Sequence, residues 1–343
     1  MRFGVVGYGT GGQHFHAPYI QAAKGCELTG IVARAPATIA KVRADFPDVA
    51  IFSSLTEMLD SGTVDAVTIT TPPATRDALV REAAAKGVHV VADKPFAPSA
   101  EAARSLAALA RETGITLGVY HNRRWDADFR TLMAVKAAGK LGNLWRFHSR
   151  IEQDSPETVE AGPEGGLLRD LGSHMVDQAL ALLGPVVSVD AQLDIAELEG
   201  GATDAGYTIT LRHESGVHSH LSASKMNAVV MKEFRLYGAN GSYISQGQDI
   251  QAKQIFSGER PVDDLAGWGY EAEEDWGVLR LRGQGDEVIP SEQGAYHAYY
   301  EAFAKSAAAG GPAPVTPDEA VAVLAVLDAA RLSAEEGRSV SLR

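Results

Sequence analysis

The sequence predicts an α/β domain with a doubly wound parallel sheet, followed by an α+β domain on a large, mostly antiparallel open sheet. Three observations predict this fold class. The 343 residues are enough for about two domains. In the first part of the chain, short apolar runs alternate with helical stretches, which is typical of parallel strands joined by right-handed crossovers. After Tyr120 the candidate strands are longer and follow one another directly, so we predict domains at residues 1–120 and 121–343.

The strands of the first domain are predicted from apolar runs that would be buried on both faces of a sheet. These runs are Phe3–Val6, Leu28–Ala33, Ala66–Thr70, His89–Ala92 and Thr116–Val119. Three sequence signals mark the helices between them. Ser54 and Glu57 form a capping-box pattern, Gly87 ends a helix over Arg76–Lys86, and Ser99 begins a helix that ends at Gly114.

The second domain is predicted from longer strand-like runs that follow one another directly. They are Leu144–Gln153, Val186–Leu193, Gly206–Arg212, Gly216–Ala223 and Lys232–Tyr237. Tyr207, Ile209 and Leu211 alternate with threonines, which indicates a sheet with one face covered. Helices are predicted over Leu167–Leu183, Ala295–Ala308 and Pro317–Ala334, with loops and edge strands over Gly247–Gly285. Thr316 and Glu319 form a capping box at the last helix, which we expect to pack back towards the first domain.

Charge and composition exclude several classes of protein. The formal net charge of −13 disfavours nucleic acid as a partner. Cys26 is the one cysteine, so an internal disulfide and a cysteine-cluster metal site are both excluded. No apolar run approaches the ~20 residues of a membrane span, and Met1-Arg2-Phe3 does not begin a secretory signal. We therefore expect a cytoplasmic protein with no membrane partner and no bound metal.

A glycine-rich turn follows the first predicted strand and opens a helix. Its residues are Gly7, Tyr8, Gly9, Thr10, Gly11 and Gly12. The pattern G-x-G-x-x-G in this setting predicts a dinucleotide whose pyrophosphate lies at the helix N-terminus. The alternative is a turn whose glycines serve only strand–helix packing.

The residue after the second strand indicates which dinucleotide is bound. An acid there would accept hydrogen bonds from the adenosine 2′-hydroxyl, but no Asp or Glu occurs from Gly30 through Ala44. Arg34 stands at this place, and a guanidinium suits a 2′-phosphate. NADP is therefore favoured over NAD, although Arg34 is also consistent with a solvated residue or one stacked on adenine.

Two further segments carry groups suited to acid–base chemistry. Lys94, in Asp93-Lys94-Pro95, follows a strand at the sheet edge where ligands bind, and its ammonium would stabilise a developing alkoxide. Asp170, His174 and Asp177 share one face of a helix by their spacing. From spacing alone, His174 is equally consistent with a general acid or base, a metal ligand or a buried core histidine.

Polar and aromatic residues at the domain boundary are candidates for substrate binding. Tyr120, Asn122, Arg123 and Trp125 suit the hydroxyls and ring face of a sugar or cyclitol. A crossover packed by Tyr120 and Trp125 is the alternative. His14 and His16 begin the first helix. We expect both to be exposed to solvent, with a position facing the nicotinamide as the alternative for either. The loops at residues 155–164 and 262–274 are expected to shape the pocket.

The ordered motifs resemble the glucose–fructose oxidoreductase/inositol dehydrogenase/MocA family over nearly the whole chain. The resemblance rests on the first-strand glycines, on Asp93-Lys94-Pro95, and on the stretch from Gly166 to Asp177. The His16-Ala17-Pro18 triplet and the run from Asn122 to Asp126 are similar to the NADP-preferring, scyllo-inositol-dehydrogenase-like branch.

The resemblance implies roles for particular residues. Lys94 corresponds to the family's catalytic lysine, Asp170 to its acidic partner and His174 to its general acid/base, with the last two also binding substrate. Thr71 and Pro72, with Asp93 and Lys94, fall among the cofactor-binding residues. Two departures are Pro73 and Arg76, where the family often has Asn and His, and Asp93 in place of Glu.

Together these features predict an NADP-dependent oxidoreductase acting on a secondary alcohol or ketone of a sugar, sugar acid or inositol. His174 would take the hydroxyl proton, Asp170 would orient the pair and Lys94 would stabilise the alkoxide. The resemblance also implies a homodimer or homotetramer formed through the second sheet. One alternative is a redox-neutral NAD(P)-using glycosidase or lyase, which would leave the steady-state absorbance of NADPH unchanged during turnover. The other is a non-catalytic nucleotide sensor, which would consume NADPH with none of a broad panel of carbonyl compounds.

Overall fold

The computed structural model describes residues 1–162 and 165–342. Contacts divide the chain into two compact units that interleave along the sequence. The first unit comprises Met1–Trp125, Gln251–Trp268 and Ala295–Val321. The second unit comprises Asp126–Ile250, Gly269–Gly294 and the chain from Ala322 onwards.

The first unit contains a six-stranded, entirely parallel sheet in the order β3-β2-β1-β4-β5-β6. Its strands are β1 (Arg2–Val6), β2 (Glu27–Val32), β3 (Ala50–Phe52), β4 (Ala66–Ile69), β5 (His89–Asp93) and β6 (Leu117–Tyr120). This is the strand order of dinucleotide-binding doubly wound domains, so the predicted fold class is confirmed. The three-residue strand β3 was not among the predicted strands.

The second unit contains a nine-stranded sheet in the order β14-β13-β12-β11-β7-β10-β9-β8-β15. Its strands are β7 (Leu144–Asp154), β8 (Val186–Leu198), β9 (Gly201–His213), β10 (His218–Ser224), β11 (Met226–Gly238), β12 (Gly241–Ser245), β13 (Gly277–Leu281), β14 (Asp286–Ile289) and β15 (Val340–Ser341). Every neighbouring pair is antiparallel except β7 and β10. Tyr207, Ile209 and Leu211 are buried while Thr208 is exposed, which confirms a sheet with one covered face.

The helices start and stop largely where capping residues predict. They are α1 (Ala17–Ala22), α2 (Pro36–Asp45), α3 (Leu55–Asp60), α4 (Pro73–Ala85), α5 (Ala100–Thr113), α6 (Ala127–Ala137), α7 (Ser173–Leu183), α8 (Ile250–Phe256), α9 (Tyr296–Ala308) and α10 (Pro317–Glu336). Ser99 accepts a hydrogen bond from the N–H of Ala102, and Gly114 ends α5 with a φ of 72°. At α3 only half of the expected capping box forms. The hydroxyl of Ser54 accepts a hydrogen bond from the N–H of Glu57, but the Glu57 carboxylate accepts one from the N–H of Ser53 rather than from that of Ser54.

Among the residues that the structure describes, no helix is both long and apolar enough to cross a bilayer.

Candidate active site

The glycine loop between β1 and the first helix has the geometry that a dinucleotide requires. Gly7 has a φ of 100°, which favours glycine. A Cβ on Gly12 would lie 2.1 Å from the carbonyl oxygen of Gly7, so only glycine allows the helix to pack this closely on the turn. A Cβ on Gly9 would meet no atom within 4 Å. Gly9 therefore leaves its backbone open to a ligand, and the three glycines fit the roles expected for binding a pyrophosphate.

The first helix begins as a π-turn over Gly11–His16 and continues as α1. The turn directs His16 into the interior, where its side chain is completely buried. Its Nδ1 lies 2.5 Å from the hydroxyl of Tyr300, and its Nε2 lies 3.4 Å from Oδ2 of Asp93. The expectation that His16 is exposed was therefore wrong, because sequence spacing does not reveal a π-turn. His14 is partly buried, and its ring packs against Phe256.

The Asp93-Lys94-Pro95 turn begins at the last residue of β5 and lies beside the glycine loop. Oδ2 of Asp93 would be 3.0 Å from a Cβ on Gly11, and Oδ1 accepts a 2.7 Å hydrogen bond from the N–H of Lys94. Burial acts to raise the pKa of Asp93, but His16, Arg76 and Lys94 together outweigh it and lower that pKa. Asp93 thus carries a negative charge at the edge of the loop and fixes the first residue of the turn.

Thr71 and Pro72 follow the neighbouring strand β4. The methyl carbon of Thr71 would be 3.3 Å from a Cβ on Gly7, so this loop borders the glycine turn. The hydroxyl of Thr71 accepts a 2.8 Å hydrogen bond from Thr75 in α4. The first unit therefore brings together the predicted cofactor-binding residues that follow β1, β4 and β5.

Arg34 lies just beyond β2 and is exposed. Within the described chain its guanidinium makes no hydrogen bond or ion pair. The first acid after Arg34 in the sequence is Asp45, at the end of α2. Its Oδ2 accepts 2.8 Å hydrogen bonds from the hydroxyl of Tyr8 and the amide of Gln13. Asp45 is thus engaged by residues of the glycine loop and its helix, a role that its position in the sequence does not indicate.

The predicted substrate-binding run forms a short 3₁₀ turn over Asn122–Trp125 after β6. Tyr120 is 1% exposed. The centroid of its ring lies 4.3 Å from that of the His16 ring and 4.9 Å from that of the Tyr299 ring. Trp125 also packs edge-on against Tyr299. These surroundings favour the packing interpretation for both aromatic residues. Asn122 is buried and Arg123 is partly exposed, and substrate binding by these residues stays a prediction.

In the second unit, the segment that carries Asp170 and His174 also begins with a π-turn, over Leu168–Gly172. The helix is α-helical only from Ser173 onwards, so the predicted helix over Leu167–Leu183 is not a single regular one. His174 is 6% exposed and Asp177 1% exposed, whereas the side chain of Asp170 is 42% exposed. Asp170 and His174 therefore differ in their access to solvent.

Asp204 fixes the start of that segment. Its Oδ2 accepts a 2.6 Å hydrogen bond from the N–H of Leu168. Gly166 has a φ of 93°, and a Cβ there would lie 2.3 Å from Oδ1 of Asp204. Burial raises the pKa of Asp204, while the Leu168 N–H and Arg331 oppose that rise. Asp204 comes from β9, and nothing in its local sequence indicates this contact.

Lys225 is a second residue that sequence reasoning missed. It lies between β10 and β11, is 8% exposed, and forms a 2.8 Å ion pair with Oδ2 of Asp170. Nothing in the sequence predicts this ion pair, because a single lysine between two strands is ordinarily a surface residue. The structure thus shows a cation held directly against the predicted acidic partner of His174.

Two further expectations concern metal binding and the loop at residues 155–164. Within the described ranges no group of three or more His, Cys, Asp and Glu side chains is arranged to hold a metal ion. The predicted pocket loop at 155–164 contains a 3₁₀ turn over Pro156–Thr158, but Pro163 and Glu164 lie outside the described residues.

Comparisons with known proteins agree with this geometry. Residues 1–121 match the profile of the oxidoreductase family with an NAD-binding Rossmann fold, and residues 129–244 match the GFO/IDH/MocA C-terminal domain. The chain is 34% identical to the oxidoreductase YdgJ of Escherichia coli, covering all of this chain and 99% of that one. It is 31% identical to the NADP⁺-dependent scyllo-inositol 2-dehydrogenase IolW of Bacillus subtilis, covering all of this chain and 96% of that one.

The similarity extends to solved structures. The oxidoreductase yvaA from Bacillus subtilis superposes with a TM-score of 0.90 at 31% identity, covering all of this chain and 99% of that one. The family profiles, the full-length relatives and the shared fold agree with the glycine loop and the Lys94 turn described above. The chain belongs to the GFO/IDH/MocA family of oxidoreductases, whose N-terminal domain has an NAD-binding Rossmann fold.

Proposed function

We propose that this oxidoreductase uses NADP and acts on a secondary alcohol or ketone of a sugar, sugar acid or inositol. One observation carries the proposal: the Asp93-Lys94 turn borders the glycine loop, with Oδ2 of Asp93 3.0 Å from the position of a Cβ on Gly11. Lys94, which carries a cationic side chain, is therefore the next residue after the one that borders the edge where the dinucleotide would bind. The similarity to the scyllo-inositol dehydrogenase IolW supports the substrate class.

The preference for NADP rests on Arg34. Its exposed guanidinium follows β2, where a 2′-phosphate of a bound dinucleotide would lie, and Asp45 is already engaged by Tyr8 and Gln13. The NADP⁺-dependence of IolW supports the same choice. NAD is the alternative cofactor.

The proposed chemistry divides between coenzyme and protein. When bound, NADP⁺ would accept the hydride during oxidation, and NADPH would supply it during reduction. During oxidation the imidazole of His174 takes the proton of the substrate hydroxyl, and Asp170 holds the acid–base pair in place. The ammonium of Lys94 donates a hydrogen bond to the developing alkoxide and stabilises its charge. The ion pair with Lys225 gives Asp170 a defined position.

The test is a screen of polyols and their keto forms with NADP and NADPH, followed by the His174→Ala variant with the best substrate. We expect nicotinamide absorbance to change in proportion to product. His174→Ala should bind NADPH with the wild-type Kd but lose about two to four decades in kcat. His218→Ala, at an exposed position on β10, is the matched control and should retain its activity.

Other outcomes would point elsewhere. Product formation without a net change in NADPH would indicate a redox-neutral glycosidase or lyase. NADPH binding without turnover of any substrate would indicate a nucleotide sensor. Full activity of His174→Ala would remove His174 from the acid–base role.

A further inference from the structure

Arg76 is a buried cation whose hydrogen bonds run to the backbone. It lies in the first turns of α4 and is 2% exposed. No carboxylate among the described residues is within ion-pair distance of its guanidinium, and burial lowers the pKa of Arg76. A buried guanidinium without a paired carboxylate is costly, whereas an apolar side chain of similar size would avoid that cost. Its presence therefore calls for a purpose beyond filling space.

The hydrogen bonds of Arg76 join the two loops that follow β4 and β5. Its Nε donates to the carbonyl of Thr71 at 2.8 Å. Its Nη1 donates to the carbonyls of Asp93 and Pro95, and its Nη2 lies 3.5 Å from the carbonyl of Lys94. The guanidinium thus bonds the backbone on both sides of Lys94 and ties it to the Thr71 loop.

The side chain of Asp93 holds the same turn from another direction. It accepts the N–H of Lys94 and faces the buried imidazole of His16. Arg76 therefore completes a set of contacts that leaves the backbone of Lys94 little freedom to rotate. A planar fork of donors is required, because one ammonium group cannot reproduce these directions at once.

We propose that Arg76 is a positioning residue that fixes the direction in which Lys94 presents its ammonium to the substrate. This role rests on the proposed function of Lys94. A small displacement of a reacting group reduces turnover without preventing binding. Arg76 thus acts through Lys94 and touches neither substrate nor coenzyme.

The test compares Arg76→Lys with wild type, because the variant keeps the charge and loses the fork. We expect kcat to fall about tenfold to a hundredfold, while KM for the carbonyl substrate and Kd for NADPH change by less than about threefold. Arg81→Lys is the matched control, because Arg81 lies on the same helix, is about half exposed and pairs with Asp77. It should leave all three quantities unchanged.

A second readout does not depend on turnover. Acetylation of each lysine by an amine-reactive ester is followed by peptide mass spectrometry, with and without NADPH. In Arg76→Lys, the rate at which Lys94 is acetylated should differ from that in wild type, and NADPH should protect Lys94 from acetylation less than it does in wild type. Lys86, whose side chain is 53% exposed, should react equally in both proteins. Arg76→Gln is measured in parallel, so that a variant is available if Arg76→Lys does not fold.

Three results would overturn the proposal: an unchanged kcat, an unchanged rate at Lys94, or a loss of kcat, NADPH binding and melting temperature in parallel. The last would show that Arg76 only stabilises the fold. If wild type itself turns over no substrate, the proposed function fails, and the reactivity of Lys94 still decides the positioning role.

Discussion

Arg34 is the side chain on which the proposed coenzyme preference depends. It is exposed, and within the described chain it has no other partner. We expect Arg34→Ala to lower kcat/KM for NADPH about tenfold to a hundredfold, since a charge-assisted hydrogen bond to the 2′-phosphate is lost. The value for NADH should stay nearly constant, because NADH has no such phosphate.

Steady-state kinetics with both coenzymes measure this effect. Arg43→Ala is a suitable control, because Arg43 is exposed on α2 and its guanidinium donates hydrogen bonds to the carbonyls of Pro47 and Val49. Equal losses with NADPH and NADH in Arg34→Ala would refute the assignment.

Glu271 makes the stability of the second unit depend on pH. It is 8% exposed, and burial, reinforced by Asp128, raises its pKa to about 7. Ser291 donates a hydrogen bond to it, and Lys232 lowers its pKa in opposition. The pKa of this carboxyl is higher in the folded than in the unfolded protein. Its contribution to the free energy of unfolding is therefore fully present below about pH 4.5 and is lost as the pH rises to about 7.

Glu271→Gln should remove that dependence. The variant should become more stable than wild type as the pH rises from about 4.5 to 7, by up to about 3 kcal/mol, and the difference should then stay constant. Thermal melts across this range measure it, with exposed Glu273→Gln as the control. If the difference in stability between Glu271→Gln and wild type did not vary with pH, the raised pKa of Glu271 would be contradicted.

The roles of individual residues were predictable where a local sequence pattern determines the backbone geometry. The glycines follow from strand, turn and helix in succession, and the structure gives Gly7, Gly9 and Gly12 the expected geometry. Lys225 and Asp204 were not predictable, because each acts across strands distant in sequence. His16 was misjudged because its burial depends on a π-turn that sequence spacing cannot show.

Among the elements, α10 depends on its capping box. The hydroxyl of Thr316 accepts the N–H of Glu319, and the Glu319 carboxylate accepts the N–H of Thr316 at 2.8 Å. The same carboxylate pairs with Arg124 at 2.7 Å. Burial acts to raise the pKa of Glu319, but Arg124 and these hydrogen bonds lower it. The capping box could be predicted from the sequence, because both residues stand at fixed positions around the first turn of the helix.

Thr316→Ala should lower the free energy of unfolding by about 1 kcal/mol, since an N-terminal N–H of α10 loses its acceptor. Urea unfolding measures the change through the midpoint at a constant slope. Thr113→Ala is the comparison, because Thr113 lies at the end of α5 and its hydroxyl donates to the carbonyl of Leu109 without capping a helix start. Equal effects of the two substitutions would contradict the capping role.

Elements without strong local signals were harder to predict. The strand β3 has three residues, too few for a period-two pattern to emerge. The helix α8 lies in a stretch rich in glycine and acids, where loops and edge strands were expected. In both cases tertiary packing outweighs weak local propensity.

On the scale of the whole chain, the fold class follows from the order of elements, but the path of the chain does not. Alternating strands and helices predict the parallel sheet, and consecutive long strands predict the antiparallel one. The segment Gln251–Trp268 rejoins the first unit after the 125 residues of Asp126–Ile250, and Ala295–Val321 rejoins it after the 26 residues of Gly269–Gly294. That return depends on contacts distant in sequence, such as the buried rings of Tyr300 and Phe303 against Phe3.

The chemistry of the whole molecule is tested most directly by following the hydride itself. NADPH carrying deuterium at the transferred position of the nicotinamide is turned over with the best keto substrate from the screen, and the alcohol product is analysed by mass spectrometry. The account predicts that deuterium appears on the carbinol carbon, in proportion to the NADPH consumed. A product without deuterium, formed while labelled NADPH persists or is oxidised, would contradict it.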